Sequence, residues 1–103
     1  MNLRSRLIEL VNALDELLRN AAMDDELREQ YLRRRALLSA MLDEMLRQKL
    51  DKDTGPYKAA VEQTNKAVKV AKRALHETEE REAAILELTK AAQAIDAIIK
   101  FTV

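Results

Sequence analysis

The chain has 103 residues, with 18 Lys and Arg balancing 18 Asp and Glu, one Gly, one Pro and no Cys. That length suits one domain; so little Gly and Pro argues against turn-rich β folds, and the missing Cys excludes disulfide frameworks, thiolate metal sites and Cys nucleophiles. Zero formal charge argues against a general nucleic-acid binder, because counterion release rewards a basic excess.

The first apolar series, Leu3, Leu7, Leu10, Leu14 and Leu17, steps by four and three and therefore lies on one face of a helix. Val11 and Leu18 widen it. The pattern weakens across Asn20 to Glu26, where Asp24 or Asp25 suits the cap of a new helix and acids suit its first turn. The first arm therefore either breaks near residues 20–25 or carries a weak point there.

A second series follows: Leu27, Tyr31, Leu38, Met41 or Leu42, Met45 and Leu50, broadened by Leu37 and Leu46. It ends at Asp51 to Pro56. There Gly55 suits the left-handed residue after a helix, and Pro56 the first turn of the next. The third series runs Tyr57, Val61, Thr64, Val68, Ala71, Leu75, Thr78, then Ile85, Leu88, Ala92, Ile95 and Ile99. A polar interruption covers His76 to Glu82.

Thirteen of the sixteen Leu precede Gly55 and eleven of the sixteen Ala follow it. Large side chains facing small ones let helices approach closely and still fill the space between them. The expected fold is all-α and a single domain over 1–103: a long antiparallel helical hairpin with arm one at 2–50, a turn at 51–56 and arm two at 57–101. Opposed residues then sum to about 107, so Leu50 meets Tyr57 and Leu10 lies near Ile98. The two polar interruptions also fall level. That fits either a straight hairpin with a polar waist or a hairpin bent there into four helices. The stretch Ala83 to Val103 is apolar on at least two sides, which calls for the four-helix arrangement or a second chain. A homodimeric bundle is the expectation.

Catalytic chemistry has little to stand on. There is one His, and Ser occurs only at Ser5 and Ser39. His76 with Glu80 at i+4 lacks the Glu-x-x-His spacing of helical di-metal sites, because Arg73 stands three before it. The reading is therefore not an enzyme, with no metal and no cofactor. The early charges Arg4, Arg6 and Glu9 interrupt any signal-peptide core, and no run reaches the ~18 apolar residues of a membrane span. The expected location is the cytoplasm.

Helices without a catalytic constellation act by presenting faces. The expected function is a protein–protein interaction module: an adaptor, chaperone, inhibitor or small regulatory subunit. Its contact candidates are Arg34, Lys66, Lys69, Arg73, Met41, Met45, Ile95 and Ile99. Arg34 lies on the apolar stripe, where it either covers apolar surface with its stem or pairs with a carboxylate of another chain. Met41 and Met45 lie one turn apart and serve as core filler or an adaptable groove. Lys66, Lys69 and Arg73 form a stripe beside Lys72. The alternative is a nucleic-acid-associated protein using a basic belt of Arg33, Arg34 and Arg35 with Lys69, Lys72 and Arg73. In the hairpin register this belt lies beside an acidic one of Asp24, Asp25, Glu26, Glu79, Glu80 and Glu82.

Overall fold

The computed structural model describes residues 2–101, with side chains through residue 99. Four helices follow one another: α1 (Leu3–Asn20), α2 (Asp25–Arg47), α3 (Gly55–His76) and α4 (Glu80–Phe101). Each of the first three starts on a side-chain cap. Asn2 accepts the Arg4 N–H at 2.8 Å, Asp24 the Leu27 N–H at 2.8 Å, and Thr54 the Tyr57 N–H at 3.2 Å. These bonds satisfy first-turn donors that have no partner inside the helix. Asp25 and Glu26 add negative charge at the start of α2, where the helix dipole favours it.

The helices form a bundle of 39 × 19 × 18 Å. α1 packs on α2 and α3, and α4 packs on the same two helices. α1 and α4 therefore lie across one diagonal, α2 and α3 across the other. Ion-pair and hydrogen-bond partners fix the directions. Asp15 with Arg35, and Leu18 with Arg28, make α1 and α2 antiparallel. Gln63 with Glu87, and Ala74 with Arg81, do the same for α3 and α4. At their common start, the Leu3 N–H donates to the Tyr57 hydroxyl at 3.0 Å, and α1 and α3 run parallel.

The bent arrangement is thus the one adopted. Both arms fold at their polar interruptions, and the two loops, 21–24 and 77–79, meet at one end, where Arg81 Nη1 donates to the Ala22 carbonyl at 2.6 Å. The straight-hairpin register, with α1 along α4 and α2 along α3, is not made. Large-against-small packing survives in another pairing. Leu3, Leu7, Leu10, Leu14 and Leu17 are fully buried, as are Ala60 and Ala74 on the parallel neighbour α3. Each buried Leu contributes about 1.5–3 kcal/mol relative to exposure.

Four local expectations need correction. Gly55 is not left-handed; no glycine has positive φ, and Gly55 opens α3. α2 ends earlier, at Arg47, with Gln48 extended and its side-chain amide donating to Glu44 at 2.8 Å. The central loop is therefore 48–54 rather than 51–56. Thr78 falls in the third loop, 77–79, and is exposed, so it is no part of a core stripe. Leu37 and Leu46 are 47% and 54% exposed, because α2 turns only one narrow side inward. Among the described residues no helix is long and apolar enough to cross a membrane.

Candidate functional site

α2 and α4 run parallel, tied by two side-chain bonds. The Tyr31 hydroxyl donates to the Arg81 carbonyl, and Arg34 Nε donates to Thr89 Oγ1 at 3.2 Å. Thr89 in turn donates to the Ile85 carbonyl at 3.0 Å, so the hydroxyl both holds Arg34 and sits fixed on its own helix. Outside this tie a groove of about 430 Å³ opens between the two helices, to which α4 contributes only small or polar groups. Leu37, Met41 and Ala92 supply its apolar lining, Arg33 and Arg34 one end, and Thr89, Gln93 and Asp96 the α4 wall. Leu86, one turn before Thr89, is 56% exposed.

The charges differ in how far they are already used. Arg33 pairs with Glu29 at 2.6 Å, with both side chains largely in water; such a pair contributes little and exchanges readily. Arg35 binds both oxygens of Asp15, at 2.7 and 3.2 Å, across the α1–α2 seam. Hydrogen bonding from Arg35 holds the Asp15 carboxyl below its ordinary range, and Asp15 in turn raises Arg35. Lys72 reaches Glu9 at 2.6 Å, and that hydrogen bond lowers the Glu9 pKa.

The sequence-derived candidates separate accordingly. Arg34 and Met41 meet in the groove, half-buried. Met45 and Ile95 are 8% and 0% exposed and belong to this chain's own core, so neither can present itself to a partner. Ile99 packs half-buried against that core. α2 and α3 cover α4 through Leu88, Ala91, Ile95 and Ile98, and no second copy is required for that purpose. Lys66, Lys69 and Arg73 are exposed on α3. The basic belt does not exist as one strip: Arg33–Arg35 lie on α2 and Lys69–Arg73 on α3, across the diagonal, and three of its members are ion-paired within the chain. The acids fare better, since Asp24, Glu26 and Glu82 line one cleft at the loop end. Among the described residues no three His, Asp or Glu side chains are placed to hold a metal ion.

Sequence reasoning missed Arg81. Only 9% exposed, its guanidinium donates to the carbonyls of Ala74 at 2.8 Å, Ala22 at 2.6 Å and Leu75 at 3.2 Å. One signal was available: a cation in the first turn of a helix, among acids, opposes the helix dipole and needs another reason to be there. Comparison of the chain with protein-family models, curated proteins and solved structures finds no match.

Proposed function

We propose that the protein is a non-enzymatic protein-interaction module whose α2–α4 groove receives one amphipathic helix bearing carboxylates at the end that meets Arg33 and Arg34. The supporting observation is the union of an apolar floor, Leu37, Met41 and Ala92, with two guanidiniums in one open groove. From Arg33 to Met41 it covers about two helical turns, or ~12 Å. A helix of that length docks through apolar side chains at i, i+3 or i+4, and i+7. Met repacks around varied side chains, and guanidinium forks hold carboxylates bidentately.

The test is fluorescence anisotropy with two labelled peptides of equal length and the same Leu/Ala stripe, one with Glu and one with Lys in the first turn. The Glu peptide is expected to bind and the Lys peptide not. Leu37→Glu should weaken binding at least ~10-fold, as loss of a central contact does, and Arg34→Glu should invert the charge preference. Binding that ignores both substitutions, or no binding, overturns the reading. Light scattering under the same conditions tests the competing occupant: a dimer dispersed by Leu37→Glu would place a second copy of the chain in the groove instead.

A further inference from the structure

A formal charge of zero hides a segregated surface. α3 carries Lys58, Lys66, Lys69, Lys72 and Arg73 against a single carboxylate, Glu62. All five cations are exposed. Lys66 and Lys72 lean to neighbouring helices, reaching Glu87 at 3.9 Å and Glu9 at 2.6 Å, yet keep 62% and 60% of their side-chain surface in solvent. Among the described residues Lys58, Lys69 and Arg73 make no ion pair. From Lys58 to Arg73 the face extends ~22 Å at the helical rise. Acids border this face, Glu9 and Glu87 at Lys72 and Lys66 and Glu16 and Glu77 in the cleft beside Lys72 and Arg73, while Asp24, Glu26 and Glu82 line a cleft at the loop end.

We propose that the outer face of α3 binds the phosphate backbone of double-stranded nucleic acid without reading its sequence. Five cations with one carboxylate, Glu62, among them span ~22 Å of a helix, against a duplex that offers a negative charge about every 1.7 Å of its axis. Lys ammoniums act as point charges, which position on phosphates and do not specify bases. Single strands are disfavoured as the ligand because they require stacking surfaces, and Tyr57, the aromatic residue of α3, is buried. A membrane surface is disfavoured because insertion needs a large apolar side chain among the basic ones, and the exposed positions of α3 offer only Ala59 and Pro56 besides polar groups and Gly55. The face is independent of the α2–α4 groove: α3 and α2 do not touch.

The experiment measures anisotropy of a labelled mixed-sequence duplex DNA with the full chain, from low to physiological salt. Three to five phosphate contacts predict a slope of about −2.7 to −4.5 in log K against log salt. Replacing Lys69 and Arg73 with Gln should flatten that slope by about 2 and weaken binding ~10-fold or more at low salt, with the helical circular dichroism unchanged. Replacing Arg33 and Arg34 with Gln should leave duplex binding as it was, which separates failure of this face from failure of the groove. Absence of low-salt binding, or a slope indifferent to K69Q/R73Q, overturns the proposal. Tighter binding to polyglutamate or to phosphatidylserine vesicles than to the duplex also overturns it, in favour of an acidic protein or a membrane.

Discussion

At the scale of single residues, Arg81 holds the bend of both arms. Among the described residues its guanidinium has no carboxylate partner; instead it collects three carbonyls, two of them from the last turn of α3, where the unpaired C=O groups carry the negative end of the helix dipole. The Tyr31 hydroxyl closes the arrangement by donating to the Arg81 backbone carbonyl. Burial pushes the Tyr31 phenol up to about 12, with the nearby Arg81 charge opposing. An unfolded Tyr ionises near 10, so the proton leaves the unfolded chain more easily than the folded one. The stabilisation from this group is complete below about pH 10 and is lost as pH climbs from there through about 12, worth roughly 1–3 kcal/mol in total. Urea denaturation along an alkaline series should show the decline, and Tyr31→Phe, less stable at neutral pH, should show a shallower one. Equal slopes in both proteins would mean that Tyr31 does not sense the folded interior.

Helices as elements were legible where one physical pattern dominated. The Leu3 to Leu17 stripe repeats at helical spacing, and every member is fully buried. The helix starts were legible where a cap or Pro marks them, Asp24 before α2 and Pro56 in the first turn of α3; the stops were less legible, because α1 ends through backbone and tertiary bonds rather than at a Gly or Pro. Ala21 turns extended with its N–H bonded to the Leu17 carbonyl, and Arg81 fixes the next carbonyl, of Ala22; nothing in Asn20 to Met23 announces that. Gly55 misled in the opposite direction. It looks like a left-handed stop for α2, yet it lies at the start of α3 with ordinary φ, and a Cβ built there meets nothing within 4 Å. Gly55→Ala should therefore raise stability by about 0.4–1 kcal/mol, by restricting the unfolded chain, with a matching rise in the denaturation midpoint. A left-handed Gly55 would instead make the same substitution destabilising.

For the molecule as a whole, the undecided matter in the sequence was which arm segments face each other. A straight hairpin and a bent one bring the same two polar interruptions level, so hydrophobic periodicity cannot separate them; the Arg81 contacts can. The difference is large in space. In the bent bundle Asp15 and Arg35 form a bidentate pair on adjacent helices. In a straight arm they would sit twenty residues apart along one continuous rod, or ~30 Å, and residue 15 would face the second arm near residue 92. Because the chain has no Cys, replacing Asp15 and Arg35 with Cys gives a clean pair for a short bismaleimide. Both positions are only partly exposed, and the lost surface pair costs at most ~1 kcal/mol, so the variant should remain folded. The bent bundle predicts an internal cross-link: a species of monomer mass on a denaturing gel, whose yield does not depend on protein concentration. Straight hairpins paired as a dimer, or arms exchanged between two copies, would place residue 15 of one chain beside residue 35 of another. They would give covalent dimers at the same residues. Monomeric cross-linking with a concentration-independent yield would also leave the α2–α4 groove and the outer face of α3 free on each copy, which both binding proposals require.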